Sequence, residues 1–115
     1  MATSKAEQYL GLCAAGRSIT LGTEQVMREI RRHPEKVYLV VVASDASERT
    51  KKQLADKCAY YRRKLLTLNA DMFSIARAVG KQAPVAAAAV MNRGLAAKIA
   101  ESVSPDETSI SSQQI

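Results

Sequence analysis

The 115-residue sequence predicts an α/β protein, a three-layer α/β/α sandwich with a small, mixed four-stranded sheet. Segments whose apolar residues recur at helical spacing alternate along the chain with short runs that are typical of strands. The composition is 47% hydrophobic but includes one Phe and no Trp, so the core is predicted to consist of Val, Leu, Ile and Ala. Small core side chains suit helices that pack closely on a small sheet, and the length fits a single domain.

The first three elements are predicted in the N-terminal third of the chain. A helix over residues 4–15 ends at Gly16, the residue type that best tolerates a left-handed cap. The short alternating stretch RSIT is predicted to form an edge strand. A second helix runs from Thr23 to about Arg32 and is closed by the residue before Pro34. Its apolar stripe is formed by Val26, Met27 and Ile30, and its opposite face by Glu24, Arg28 and Arg31.

The middle of the chain contains the most hydrophobic strand. The run KVYLVVVAS is β-branched and apolar on both faces, as in a central strand that is covered on each side. Ser47 is then predicted to cap a long helix that ends near Arg63.

The last third repeats the alternation of strand and helix. KLLTL is predicted to be the second core strand, and Asn69 or Asp71 to cap a short helix that ends at Gly80. APVAAAAVM is predicted to be the third core strand, after which Asn92 caps the last helix. The resulting order, with helices between successive strands, predicts helix layers on both faces of the sheet.

Positive charge is concentrated in the part of the chain that is predicted to fold. All seventeen Lys and Arg residues lie within residues 1–101, the predicted domain, whereas Asp106 and Glu107 lie in the segment 102–115. That segment is rich in Ser and poor in apolar residues, so it is predicted to be a disordered tail. The net charge of the whole chain is +6, which favours an anionic partner such as nucleic acid.

Cysteine usage and hydropathy limit the cellular context. Cys13 and Cys58 lie beside apolar residues in separate predicted helices, and His33 is the only histidine. We therefore expect buried, reduced thiols and no disulfide, metal site or cofactor. The N-terminus lacks the apolar run of a signal peptide, and no stretch approaches the roughly 20 apolar residues that span a membrane. These features predict a cytoplasmic protein that does not act at a membrane.

No catalytic motif is found in the sequence. It contains no phosphate-binding glycine loop, dinucleotide fingerprint, metal-ligand cluster or nucleophile elbow. A triad of Ser44, Asp45 and His33 would be an accident of composition. The sequence therefore predicts a protein that is not an enzyme. The basic residues of the third predicted helix are spread over several sides, which favours a solvated face for Arg49, Lys51, Lys52, Lys57, Arg62 and Arg63.

Four segments together carry a resemblance to a known family: AGRSITLGTEQV, the strand end ASDAS, the helical DKCAYY, and VGKQAPVAAAAV. In order and spacing they resemble the ribosomal-protein superfamily of L7Ae and L30e, in particular its small bacterial YlxQ-type branch. The resemblance covers roughly residues 8–100. It implies a monomer that binds kink-turns in ribosomal or other structured RNA. These are sharply bent elements in which two sheared G·A pairs flank a bulge with an extruded base.

The resemblance implies that the start of the second helix lies against the G·A pairs. The family pattern Gly-Thr-Asn-Glu-x-x-Lys falls on Gly22, Thr23, Glu24, Gln25 and Arg28. A glycine allows close approach to RNA, and the free N–H groups of a helix start favour an acceptor. The amide and the guanidinium can reach base edges or phosphates. Two residues one turn further on extend the positive strip, Arg31 and Arg32.

Two loops are implied as further contacts. The first precedes the last strand, and its lysine would meet phosphates while its apolar residues offer a surface to the extruded base: Lys81, Gln82, Ala83, Pro84 and Val85. Val85 is explained equally well as part of the core strand. The second loop follows the central strand and contributes Ser44 and Asp45. Asp45 is explained equally well as a cap of the following helix.

Glu24 departs from the family pattern, which commonly has Asn at this position. A carboxylate has only acceptors, so it cannot make the amide contact to a base. Glu24 could accept a hydrogen bond from a guanine amino group or pair with Arg28 at i, i+4. It also supports an alternative function, a protein-interaction module on the same fold that has lost specific RNA binding.

Overall fold

A computed structural model describes residues 4–103 of the chain. The order of helix and strand is the predicted one. The elements are α1 (Lys5–Ala15), β1 (Ile19–Leu21), α2 (Thr23–Arg32), a single 3-10 turn (Pro34–Lys36), β2 (Leu39–Val42), α3 (Glu48–Tyr61), β3 (Leu65–Thr67), α4 (Met72–Ala78), β4 (Ala87–Val90) and α5 (Arg93–Ser102).

The four strands form one mixed sheet in the order β1-β4-β2-β3. β4 is antiparallel to both of its neighbours, and β2 and β3 are parallel. β2 and β4 are buried at every position, as expected for central strands. Three of the four β4 residues are alanines, so little side-chain volume separates the helices from this strand.

Helices cover both faces of the sheet. α1 packs against α4 and α5 in one layer, and α2 packs against α3 in the other. The α1 and α4 backbones approach closely at Gly11, where an added Cβ would lie 2.8 Å from the carbonyl oxygen of Ala78. The predicted three-layer α/β/α sandwich is therefore confirmed.

Helix caps explain where four of the helices begin. Ser4, Ser47, Asp71 and Asn92 each accept a hydrogen bond from a backbone N–H in the first turn of the following helix. Asp71, and not Asn69, therefore caps α4. The hydrogen bond from the Ser74 N–H is the main cause that lowers the pKa of Asp71.

The folded part extends slightly beyond the predicted domain end at residue 101. α5 continues to Ser102, and Val103 is buried with 8% of its surface exposed. The predicted tail therefore cannot begin at residue 102, because Val103 packs with the core cluster. The rest of that predicted tail, residues 104–115, lies outside the described residues.

Both thiols are free and buried. Burial raises the pKa of Cys13 and raises that of Cys58 to about 12. Within residues 4–103 no His, Cys, Asp and Glu side chains cluster as metal ligands would. None of the helices in that range combines the length and hydropathy needed to span a membrane.

Candidate nucleic-acid interface

The loops and the helix start that were predicted to contact RNA converge at one end of the sheet. β1 and β2 end here and β4 begins here, because Leu21 pairs with Ala88 and Val42 pairs with Ala87. We call this surface the docking face and define it as residues 22–28, 43–45 and 81–86. Residues that are far apart in the sequence are thus brought together by the antiparallel pairing of β4.

Backbone hydrogen bonds join the three segments of the docking face. The Gly22 N–H donates to the Ala87 carbonyl oxygen at 3.0 Å, and the Ala43 N–H donates to the Ala86 carbonyl oxygen at 2.8 Å. The start of α2, the end of β2 and the loop before β4 therefore share one hydrogen-bonded frame. Their relative positions follow from the sheet and do not depend on flexible side chains.

Gly22 occupies a backbone conformation that L side chains rarely adopt. Its φ is +98° and its ψ is 139°. An added Cβ would lie 2.9 Å from Oε1 of Gln25, whose side chain extends over the glycine. The position therefore requires glycine for its backbone, and the space beside it is covered only by the flexible end of the Gln25 side chain.

The N-terminus of α2 has no side-chain cap, in contrast to those of the other four helices in residues 4–103. The N–H groups of Thr23, Glu24 and Gln25 make no hydrogen bond within the described residues. These donors lie at the positive end of the helix dipole, next to Gly22. They form a set of fixed donors for an acceptor on a ligand.

Three polar side chains of the α2 start are exposed: Glu24, Gln25 and Arg28. The ion pair that the sequence allowed between Glu24 and Arg28 is not formed, and neither has another ionic partner within residues 4–103. Arg28 is therefore free to contact a phosphate or a base. Glu24 brings an uncompensated negative charge to the same turn.

Arg31 and Arg32 lie away from the rest of the predicted contacts. They are in the last turn of α2, about 12 Å along the helix axis from Thr23 at 1.5 Å per residue. The polar strip of the helix is continuous in sequence, but its two ends lie at opposite ends of the sheet. The structure thus assigns these two arginines to a different surface from Gly22 and Gln25.

The loop before β4 folds back along α4. The Lys81 N–H donates to the Ala76 carbonyl oxygen at 2.8 Å, and the Val85 N–H donates to the Met72 carbonyl oxygen at 3.1 Å. Val85 is 6% exposed, so it belongs to the core and offers no surface for a base. It also precedes β4, which begins at Ala87. The exposed residues of the loop are Lys81, Gln82, Ala83 and Pro84.

The loop after β2 is held differently from the prediction. Asp45 accepts a hydrogen bond from the Met72 N–H at 2.9 Å, so it ties down the start of α4 and does not cap α3. The cap of α3 is Ser47. The Ser44 carbonyl oxygen accepts a hydrogen bond from Nζ of Lys51 at 2.9 Å, which brings this cation to the edge of the docking face. The Lys51 side chain is 28% exposed and its amine also lies 3.9 Å from a carboxylate oxygen of Glu48, so the predicted solvated face is only partly exposed at this residue.

Phe73 is a candidate contact that the sequence analysis missed. It is 57% exposed, although it is the only Phe in the chain. It follows Met72, whose N–H is bonded to Asp45 and whose carbonyl is bonded to Val85. Phe73 therefore adjoins, along α4, a residue whose backbone is hydrogen-bonded to both loops of the docking face. The signal available in the sequence was a single aromatic residue at the start of a short predicted helix.

The sequence matches the family described as "Ribosomal protein L7Ae/L30e/S12e/Gadd45 family" over residues 4–101. Among characterised relatives, it is similar to "RNA-binding protein YlxQ" from Bacillus subtilis (strain 168), with 36% identity over 90 residues that cover 78% of this chain and 86% of the relative. A protein of the same name from Enterococcus faecium is 34% identical over 97 residues, which cover 84% and 89% of the two chains.

Solved structures show the same fold. A protein of unknown function from Bacillus halodurans C superposes with a TM-score of 0.77 and 33% identity, covering 85% of this chain and 95% of that one. A Giardia lamblia 15.5kD RNA binding protein superposes with a TM-score of 0.71 over 84% and 82% of the two chains, at 19% identity. The match over nearly all of the described residues and the identities above 30% show that this chain belongs to the ribosomal protein L7Ae/L30e/S12e/Gadd45 family, as a YlxQ-type member.

Proposed function

We propose that this protein is a non-catalytic RNA-binding protein that docks on kink-turn RNA through its docking face. Membership of the family and the names of the relatives support RNA binding and the absence of catalysis. In this proposal the start of α2 lies against the sheared G·A pairs, and the loop before β4 receives the extruded base. The protein acts as a monomer in the cytoplasm, on ribosomal RNA or another structured RNA.

One observation carries the proposal. At the start of α2, an uncapped helix end with three free N–H groups adjoins a glycine at φ +98°. The N–H groups of a capped helix end are already paired with a side chain. The free N–H groups of α2 can instead donate hydrogen bonds to acceptor groups of a ligand. The neighbouring Gln25 and Arg28 add donors that can contact base edges and phosphates.

The second contact supports base stacking. Ala83 and Pro84 are exposed in the loop before β4, and the exposed Phe73 follows Met72, to which this loop is hydrogen-bonded through Val85. An unstacked base loses contacts with its neighbours, and an apolar or aromatic surface replaces them. This surface therefore suits the extruded base of a kink-turn.

The proposed mechanism is a shift in the conformation of the RNA. A kink-turn exchanges between extended and bent forms, and only the bent form presents the G·A pairs and the extruded base together. Since the docking face is a fixed frame, it binds the bent form more tightly and shifts the equilibrium by that difference in affinity.

The test is a titration of the protein into a fluorophore-labelled kink-turn, with end-to-end energy transfer as the measure of bending. The control RNA has Watson–Crick pairs in place of the G·A pairs. We expect tight binding and bending of the first RNA alone. Equal weak binding to both RNAs would reject kink-turn recognition.

A matched pair of arginine variants tests the docking face itself. Both Arg28 and Arg49 are exposed helix residues without an ionic partner among residues 4–103. Loss of a charge-assisted contact costs about 2 kcal/mol, so Arg28→Ala should weaken kink-turn binding about 30-fold. Arg49→Ala should change it by less than about twofold. Equal effects of the two substitutions would place the contact elsewhere.

Glu24 favours a second candidate function. Its exposed, unpaired carboxylate lies in the turn where the family pattern has an amide, and it repels phosphates. A protein-interaction module that has lost specific RNA binding would retain the fold and tolerate this charge. The kink-turn titration decides between the two, because the module would bind neither RNA specifically.

A further inference from the structure

The opposite end of the sheet carries an unusual concentration of positive charge. We call it the basic pole and define it as residues 16–18, 31–36, 62–64 and 91–93. These segments lead into β1, β2 and β3 and out of β4. The basic pole therefore lies across the length of the strands from the docking face.

Hydrogen bonds hold the segments of the basic pole together. The Met91 N–H donates to the Ser18 carbonyl oxygen at 2.8 Å, and the Tyr38 N–H donates to the Val90 carbonyl oxygen at 3.0 Å. The half-buried Arg63 donates from Nη1 to the carbonyl oxygens of Pro34 and Val37, at 3.0 and 3.3 Å. The surface is thus a fixed arrangement and not a set of independent loops.

The charge at this end is almost entirely of one sign. The basic pole contains eight Lys and Arg residues and one carboxylate, Glu35, whereas the rest of residues 4–103 contains nine Lys and Arg residues and eight carboxylates. Seven of the eight cations are exposed, and none of these seven has an ion pair or side-chain hydrogen bond within residues 4–103. They are Arg17, Arg31, Arg32, Lys36, Arg62, Lys64 and Arg93.

Helix dipoles account for only part of this cluster. Arg31 and Arg32 lie in the last turn of α2, where a cation is stabilised by the negative end of the helix. Arg93 is the first residue of α5, where the positive end of the helix disfavours a cation. Lys64 belongs to no helix. Unpaired like charges also repel one another, so the cluster costs stability in the free protein.

We propose that the basic pole is a second RNA-binding surface, which binds the phosphate backbone of an RNA helix without reading its sequence. Each strand has one of these cations within one to three residues of its end: Arg17 for β1, Arg93 for β4, Lys36 for β2 and Lys64 for β3. Neighbouring strands are about 4.8 Å apart, so the four strand ends that bring these cations together span about 14 Å. A row of cations of this length faces several backbone phosphates of one helix and releases their counterions.

The inference concerns a different surface from the proposed function and extends it. The docking face has few cations of its own, because its segments 22–28, 43–45 and 81–86 contain two cations, Arg28 and Lys81, and two carboxylates, Glu24 and Asp45. Shape and base contacts on the docking face would select the RNA, while the basic pole would bind a second helical segment. One protein would then hold two parts of a folded RNA in fixed relation.

The experiment compares two variants of the full chain, each with four substitutions. The pole variant is Arg17→Gln, Lys36→Gln, Lys64→Gln and Arg93→Gln. The matched control, with the same change in net charge, replaces four exposed lysines and arginines elsewhere with Gln: Lys5, Arg49, Lys52 and Lys98. Binding to a plain RNA duplex and to a kink-turn with short arms is measured as a function of salt, and circular dichroism and thermal unfolding monitor the fold.

For the duplex, we expect the pole variant to lose at least about tenfold in affinity, and its slope of log Kd against log salt to fall by about three. The control variant should keep most of the duplex affinity and most of the slope. Binding to the short-armed kink-turn should be nearly the same for the wild type and the pole variant. At low salt the pole variant should unfold no earlier than the wild type, because repulsion is relieved.

Three results would overturn the inference. Equal losses in the two variants would show that net charge alone matters. Duplex affinity unchanged in the pole variant would show that the basic pole does not bind RNA. Tighter binding of a single strand than of the duplex to the wild type would exclude a helix as the ligand. Failure of kink-turn discrimination, by contrast, would reject the proposed function and leave the duplex result standing.

Discussion

The start of α2 depends on a backbone conformation that glycine adopts without strain. With φ at +98°, an alanine at position 22 would bear strain of about 1–3 kcal/mol, the range for residues in sparsely populated backbone regions. The added Cβ would meet only the end of the Gln25 side chain, which can rotate away. We therefore expect Gly22→Ala to lower the free energy of unfolding by about 2 kcal/mol and the melting temperature by about 10 °C.

Gly11→Ala is the matched control for this prediction. Its Cβ would lie 2.8 Å from the carbonyl oxygen of Ala78, so it should also destabilise the protein, but at the contact between α1 and α4. Unfolding in urea, followed by circular dichroism, gives both free energies. Kink-turn binding is then measured well below both melting temperatures. We expect weaker binding for Gly22→Ala, because Gln25 is displaced, and unchanged binding for Gly11→Ala.

Two results would refute the role assigned to Gly22. A loss of less than about 0.5 kcal/mol for Gly22→Ala would show that the positive φ is not required. A normal loss of stability combined with unchanged kink-turn affinity would show that Gly22 is a structural residue that does not approach RNA.

Three further predictions test single side chains. Glu24→Asn should raise kink-turn affinity about fivefold, since a donor replaces a charge that repels phosphate; a decrease in the titration would show that the carboxylate itself makes the contact. Phe73→Ala should weaken binding about tenfold through lost stacking, whereas Leu12→Ala, at the same 57% exposure on α1, should not; equal effects would remove Phe73 from the interface. Burial raises the pKa of the Cys58 thiol from 9.0 to about 12, so the unfolded chain loses this proton first. Stability should therefore fall as pH rises from 9 to 12, and the fall measured by urea unfolding should be smaller in Cys58→Ala; an equal fall would assign it to other groups.

Local sequence signals were sufficient for the elements and most of their ends. α2 begins after Gly22 and ends before His33. The end was predictable because the residue before a proline disfavours helical geometry. Ser47 and Asn92 were recognisable as caps from the residue type and the apolar pattern that follows. The domain end was predicted at residue 101, before Val103, because Val103 follows polar residues and only its packing shows that it belongs to the core.

The candidate site was less predictable, because its composition depends on contacts between distant segments. Nothing local in the sequence distinguishes Val85, which is buried, from Pro84, which is exposed. The role of Asp45 depends on Met72, which lies on another helix, and the position of the Lys51 amine depends on the Ser44 carbonyl. The helical spacing of polar residues in α2 also does not show which of them lie at the docking face and which lie at the opposite end of the sheet.

The pairing of β1 with β4 has a consequence for how the protein is made. Ile19 pairs with Val90, so nearly the whole domain must be synthesised before the sheet can be completed. β4 also lies between β1 and β2, and its first residue accepts the hydrogen bond from Gly22. A nascent chain that has not yet extended past β4 therefore lacks a complete docking face, and the proposed RNA recognition can begin only when synthesis of the domain is nearly finished.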